Sequence, residues 1–498
     1  MILNDQHEVQ QGQKITIIET DDDDDDDDNE NNVLDDKAAE EQDAASTKIR
    51  RLVINTVTKK ATATTSKTLF KNKRRVIWTV EVDIHVPSEW PWYFQDPRMT
   101  FFQYFEEMSP LFCTTDIPFE AIGQHMQEHV QKYDLSMAPR RVLVGGMKGE
   151  KMLIATTLLR WYLNHGMEVT KNYQVVEYQQ QRCFKEFVKE VSDARRLEDS
   201  DPDTAIIAET NKVIGNSGYG TLLMDKSKHR QVNYVQGENE TCLKVNDPRF
   251  RKLECLEQEE QYYEVELAKR KIKLDLPIQL GYFILQYAKL RMLEFYFDFM
   301  DVYVDRKDFQ YCKMDTDSAY MAISSSSLED VIKPDMFEKY KSGLQGFCTD
   351  TDIDAKKHWF PRTCCAKHAK HDKRNPGLFK LEYEGKEMIG LYSKTYIIRK
   401  QNEYKCSTKG VSKRALQTTM TKFRTVLSTG KPHSGRNRGF RVRNNVVFTY
   451  TQERRGFSYF YCKRKVLDDG IHTEPLDITL CPFKQQAEVV SDQDMFED

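Results

Sequence analysis

The chain lacks any apolar run long enough to cross a bilayer, which takes about 20 consecutive apolar residues. Its most apolar stretch, Leu280 to Val304, is interrupted by Lys289, Arg291, Glu294 and Asp298, so no membrane partner is expected. It also lacks a signal peptide, and its eleven cysteines follow no regular framework. Both argue against a secreted disulfide scaffold and for a reducing, intracellular compartment. No internal repeat is present. A charge excess of one sign is missing too: 74 basic residues stand against 78 acidic ones, a net of −4 that by itself names no partner.

The charge becomes informative once the chain is divided. Residues 1–47 hold 17 acidic side chains, including the run Asp21 to Asp28, against Lys14 and Lys37; they carry −15, which leaves +11 on the rest. A basic body suits a phosphate backbone and gives affinity without sequence preference. The acidic stretch has few apolar residues and is expected to be a disordered, solvated tail, or a competitor for the basic groove. With 498 residues, 39% of them hydrophobic and 11% aromatic, the chain can bury a large core in several subdomains.

Three motifs carry chemistry. In Tyr311-Cys-Lys-Met-Asp-Thr-Asp-Ser318, Asp315 and Asp317 are separated by one residue, between an aromatic helical segment and the strand-like run Ser318 to Ile323. A tight bend projecting two carboxylates suits Mg2+, which takes oxygen ligands and keeps the rest of its shell for water or phosphate. A polar turn is the plain alternative. Upstream, Lys212-Val-Ile-Gly-Asn216-Ser217-Gly218-Tyr219-Gly220 offers a cation for triphosphate oxygens, polar groups at Asn216 and Ser217, and a stacking ring at Tyr219. Gly218 and Gly220 permit close approach of a backbone or ligand, or form an ordinary helix C-cap. Downstream, Ser393-Lys394-Thr395-Tyr396 places a cation and a phenol two apart. If that segment is a strand, Lys394 and Tyr396 share a face; otherwise the pattern is an exposed strand edge.

In this order the three stretches resemble motif B (K-x3-N-S-x-Y-G), motif C (Y-x-D-T-D-S) and the K-x-Y motif of family B DNA polymerases, in the protein-primed branch of phages, linear plasmids and Polinton-type elements. The resemblance covers roughly residues 76 to 480. It implies an α+β right-hand fold with an antiparallel palm sheet, helical-hairpin fingers and a thumb. It implies transfer of deoxynucleotides to a primer 3′-hydroxyl by two Mg2+ ions, with Asp317 and Asp315 as catalytic metal ligands. Lys212, Asn216 and Tyr219 would bind the incoming nucleotide, and Lys394 and Tyr396 the primer. The partners implied are DNA primer–template, deoxynucleoside triphosphates and a terminal protein for priming.

Motif A (D-x2-S-L-Y-P), source of a further metal-binding carboxylate, is not found, nor is the exonuclease domain that precedes it. The motif should precede the strand at Val76; Asp83, on that strand, is a weaker alternative as a replacement ligand, because the following Ile-His-Val-Pro cannot make the motif's turn and helix. The run Asp21 to Asp28 offers no fixed geometry for an ion. The chain therefore reads as the C-terminal portion of a longer polymerase, incomplete at its N-terminus. The alternatives are an inactive remnant that only binds DNA and an RNA-templated enzyme, against which Asn-Ser-x-Tyr-Gly argues.

The expected division is a tail and basic linker at 1–75, with Lys71 to Arg75 a nuclear import signal or a solvated linker. A strand at Val76 to Val86 and a priming-type insertion of loops and helices fill 76–170. The fingers occupy 171–222 as a helical hairpin starting at Val175, with Lys185, Lys189, Arg195 and Arg196 as lesser triphosphate candidates. An irregular charged insertion follows at 223–279, then the palm at 280–404, led by one helix over Leu280 to Tyr303 lying beneath the sheet. Palm end and thumb take 405–482, with Arg441, Arg443, Arg454 and Arg455 suited to phosphates, and an acidic tail closes at 483–498. Within the palm, Lys356 to Arg374 contains Cys364-Cys365-x2-His368-x2-His371, a spacing that matches no usual structural-zinc pattern. It is read as a DNA-facing loop.

Overall fold

A computed structural model describes residues 14–20 and 76–480, except 94, 199–201, 258–260, 346–358, 363, 393, 409–418, 444–445 and 471. The acidic run, the basic cluster at 71–75 and the tail at 483–498 lie outside the described residues. The fold is mixed α+β with antiparallel sheets, and the chain divides into two units: residues 1–185 with 286–498, and residues 186–285.

The first unit begins with β1 (Lys14–Thr20) and β2 (Val76–His85), and continues through α1 (Phe101–Glu106), β3 (Leu111–Ile117), α2 (Gln124–Lys132), β4 (Arg140–Gly146), β5 (Lys148–Ala155), α3 (Thr156–Asn164) and β6 (Glu168–Gln179). Strand β2 is the one expected at Val76, with Ile77, Thr79, Val80, Val82 and Ile84 turned into the core. It is the middle strand of a β5-β2-β6 sheet, and β3 pairs with β4. The stretch from Met99 to Thr170 holds the expected loops and helices, with strands β3, β4 and β5 among them that the reading did not include. Strand β6 takes only the first few residues, 175–179, of the expected hairpin from Val175. Helix α3 ends as expected: Gly166 at φ 84° turns the chain, and a Cβ there would lie 2.7 Å from Phe101 and Pro91.

The second unit contains α4 (Lys185–Glu198) and α5 (Ala205–Leu222), then β7 (Arg230–Gln236), α6 (Glu238–Val245), β8 (Phe250–Glu257) and β9 (Tyr262–Ala268). Two helices are present as expected. The region read as an irregular insertion is instead an antiparallel β7-β9-β8 sheet around Val235, Val265 and Leu267. Alternate residues of Tyr262-Tyr-Glu-Val-Glu-Leu-Ala268 supply its inner face, and the charges between them masked the period.

Helix α7 (Ile278–Glu294) continues as a π-helical segment, Phe295–Met300, and a last turn, Asp301–Tyr303. The expected long helix is therefore there, with a wider turn near its end. A π turn shifts the facing of successive residues, and Phe295, Tyr296, Phe297, Phe299 and Met300 are all buried. Phe295 stacks on Phe379 at 3.9 Å and Tyr296 meets Tyr311 at 4.9 Å, which puts this segment under the sheet described next.

That sheet has the order β10-β11-β1-β12, from β10 (Phe309–Asp315), β11 (Ser318–Ile323) and, beyond α8 (Phe337–Gln345) and α9 (Ala366–Asp372), β12 (Phe379–Gly385). The remaining elements are β13 (Glu387–Tyr392), β14 (Thr395–Lys400), β15 (Glu403–Ser407), α10 (Met420–Thr429), β16 (His433–Arg443) and β17 (Val446–Phe457). Strands β13, β14 and β15 form a meander, and β16 with β17 a long hairpin on which Arg441, Arg443, Arg454 and Arg455 fall.

Strand β1 corrects the reading of residues 1–75 as tail throughout. Lys-Ile-Thr-Ile-Ile-Glu-Thr pairs antiparallel with β11 on one side and β12 on the other. Its β-branched residues favour strand, a local preference outweighed in composition by the acids that follow. The segment read as a DNA-facing loop is also corrected. Trp359 and Phe360 pack on Phe299 at 5.4 and 5.3 Å, and Ala366–Asp372 is helical.

Candidate functional site: a two-aspartate hairpin

Strands β10 and β11 are joined by two residues, Thr316 and Asp317, with Asp315 paired across to Ser318. Thr316 has φ 30°, in the left-handed region that a β-branched residue seldom enters. Such a conformation costs on the order of 1–3 kcal/mol. The bend places Asp315 and Asp317 at the same sheet end. Ser318 donates from Oγ to Asp317 Oδ1 at 3.3 Å.

Two ammonium groups bracket Asp315. Lys394 Nζ lies 3.8 Å from Oδ1 and Lys313 Nζ 3.9 Å from Oδ2. Asp317 has its carboxyl raised above the ordinary range, first by burial and further by the charge of Asp315, with Lys394 opposing. Lys313 is pushed down to about 8, chiefly by burial and also by Lys394 and Lys463, against the pull of Asp315. Its Nζ sits over the rings of Tyr396 at 4.4 Å and Tyr320 at 4.5 Å. It makes no hydrogen bond among the described residues. Aromatic faces replace acceptors around this cation.

The strand register adds a further acidic position. Asp315 pairs with Ser318, Ser318 with Glu19 of β1, and Glu19 with Lys380 of β12. Asp315, Ser318, Glu19 and Lys380 thus occupy one row across four strands, immediately inside the Thr316-Asp317 turn.

Lys394 does not lie on a strand. It stands at φ 59° in the two-residue connection between Tyr392 and Thr395, so the period-two argument for a face shared with Tyr396 does not apply. The two still converge on one place, by a different route. Lys394 reaches Asp315 from the turn, with its side chain 62% exposed. Tyr396 is buried, shares a 3.2 Å hydroxyl contact with Tyr320, and offers its ring to Lys313.

Lys212, Asn216 and Tyr219 lie on α5 in the second unit, with Lys212 and Asn216 exposed and one helical turn apart, and Tyr219 half-buried. The glycines are neither a C-cap nor, at Gly218, an opening for a ligand. The helix runs on to Leu222. A Cβ at Gly218 would come within 3.3 Å of Phe187, and one at Gly215 within 3.3 Å of Val191, so both let α4 and α5 pack closely. Around Gly220 nothing lies within 4 Å. Asp83 belongs to the β5-β2-β6 sheet, where it accepts from Lys151 N at 2.7 Å and Tyr173 Oη at 2.8 Å. It takes no part in the hairpin.

Two features escaped the sequence reading. The residue two before Asp315, where the motif C pattern has tyrosine, is Lys313; Tyr311 stands four before. That departure was visible in the letters. The position of Glu19 was not, because it depends on a pairing nearly 300 residues distant in sequence. Among the described residues, the set of three His, Cys, Asp or Glu donors close enough to share an ion is Cys364, Cys365 and His368, which excludes both hairpin aspartates. The chain matches no protein-family model, no curated protein and no solved structure.

Proposed function

We propose that the chain is the palm, fingers and thumb of a protein-primed family B DNA polymerase, joining deoxynucleotides to a primer 3′-hydroxyl under direction of a template. The observation that carries this reading is the Asp315-Thr316-Asp317 turn at the end of an antiparallel sheet, with the exposed Lys394 beside it. The donors fit Mg2+: both are hard carboxylates, and the raised Asp317 carboxyl reflects a buried anion beside another, an arrangement that a cation relieves. Bound there, Mg2+ would supply charge stabilisation to the transferring phosphoryl group and to the attacking oxygen. Asp315 and Asp317 hold the ion, Lys394 meets a primer phosphate, and Tyr396 supports the site from beneath through Lys313. On the second unit, Lys212 meets the triphosphate, and Asn216 and Tyr219 contact the sugar and base.

One observation favours the remnant reading. Lys313 and Lys394 stand on either side of Asp315 and can neutralise it without an ion. Primer extension by the purified full chain with Mg2+ and all four deoxynucleotides separates the two readings. The polymerase reading expects extension that Asp317→Ala abolishes. Salt-dependent binding with no incorporation by the wild-type chain would leave the remnant, and extension unchanged in Asp317→Ala would remove the hairpin from the chemistry.

A further inference from the structure

We propose that Cys364, Cys365 and His368 form a site for a soft divalent metal, zinc in the cell, separate from the two-aspartate hairpin and independent of the polymerase reading. The three ligand atoms all lie within 4.8 Å of one another, and Cys364 Sγ is 3.1 Å from His368 Nδ1. A tetrahedral zinc with bonds of about 2.3 Å to sulfur and about 2.0–2.1 Å to nitrogen holds its ligand atoms roughly 3.5–3.8 Å apart. Small side-chain adjustments bring this cluster to that spacing. The backbone amide of His368 donates to Cys365 Sγ at 3.5 Å, which ties two of the donors together.

The segment carrying them is held at both ends. Arg362 and Asp372, ten residues apart, form a buried two-pronged pair at 2.6 Å per contact, and the Arg362 amide adds a third bond at 3.0 Å. Burial alone would push Asp372 up, but the Arg362 guanidinium overturns that and holds the carboxyl well below its usual range. The carboxylate is therefore committed to Arg362, and the nearby donors left for a metal are sulfur and imidazole. On the N-terminal side Trp359 and Phe360 anchor in the aromatic core, and His368 itself is 6% exposed. A short loop closed by a buried ion pair holds its ligands near their bound positions.

Adjacent cysteines are an unusual pair, which is why spacing alone argued against zinc. Here Cys365 is extended, at φ −157° and ψ 162°, immediately before α9, and His368 comes back over the pair one helical turn later. Helical return supplies the proximity that the spacing conceals. Thiolate and imidazole donors select zinc over Mg2+, and three donors leave a fourth position for water.

The test uses the full chain purified without chelator. Elemental analysis should find about one zinc per chain, falling to background in the Cys364→Ser/His368→Ala double variant. Cobalt added to the metal-free wild-type chain should give tetrahedral d–d bands and a thiolate charge-transfer band, the latter weakened by Cys364→Ser and by Cys365→Ser separately. The cobalt titration needs only wild-type protein, so it stands even if a variant fails to fold. Zinc content unchanged in the double variant, a cobalt spectrum without the thiolate band, or a Cys364–Cys365 disulfide in protein kept from air would each overturn the site.

Discussion

Lys313 shows how burial and charge trade against each other at one residue. Its folded value of about 8 lies below the ordinary 10.5, so the folded state gives up its proton first. Below about pH 8 both states are protonated and the folded chain carries the full desolvation penalty. Between about pH 8 and 10.5 the unfolded chain binds more protons, and stability rises with pH through that window. The penalty is at most on the order of 3 kcal/mol. Lys313→Met is expected to be more stable than wild type at pH 7 and to lose the rise above pH 8, as measured by urea unfolding across pH. Asp317 works in the opposite sense. Its raised carboxyl must lose a proton before it can ligate, so Mn2+ affinity should begin to fall on acidification at a higher pH than an ordinary aspartate gives. Calorimetric titration of Mn2+ at several pH values checks this, and Asp317→Asn should bind weakly with that dependence gone.

Among the elements, β1 is the most exposed to a simple test. Ile17 is paired between Tyr320 of β11 and Tyr383 of β12. Proline in such a central strand removes a ladder hydrogen bond and costs about 3 kcal/mol or more. Ile17→Pro should lower the melting temperature by several degrees, whereas a proline at Asp24, outside the strand, should leave it unchanged. How much of the molecule could be read from its letters follows the range of the interactions that make each element. The Asp315–Ser318 turn, the strand at Val76 and the helix through Tyr303 rest on local patterns and were legible. Strand β1 was hidden by the acidic composition around it. The β7-β9-β8 sheet was hidden by the charges that interrupt β8 and β9, such as Lys252, Glu254, Glu264 and Glu266. In the hairpin site, both aspartates were plain in the sequence. The burial of Tyr396 and the turn at Lys394 depend on three-dimensional packing that period-two reasoning cannot supply.

At the scale of the whole molecule, charge is divided along the chain instead of balanced within it. A body at +11 should bind primer–template with an affinity that falls steeply as salt rises, with slope about −0.9 per phosphate neutralised. The acidic run should oppose that binding. Replacing Asp22 to Asp28 with serine is expected to tighten DNA binding at low salt and to make little difference at high salt, where both chains are screened. Fluorescence anisotropy across a salt series measures both slopes. Identical curves for the two chains would mean that the run does not influence DNA binding.

The place of β1 in its sheet also sets an order of events during synthesis. Strand β1 leaves the ribosome well before its two neighbours, β11 and β12, which are translated about 300 and 360 residues later. Until then Ile15, Ile17 and Ile18 have no native partner strands, and the sheet that carries Asp315 can close only after β12 has been made. Pairings this distant in sequence are slow to form. A nascent chain waiting for them is a natural client for chaperones that shield exposed strands.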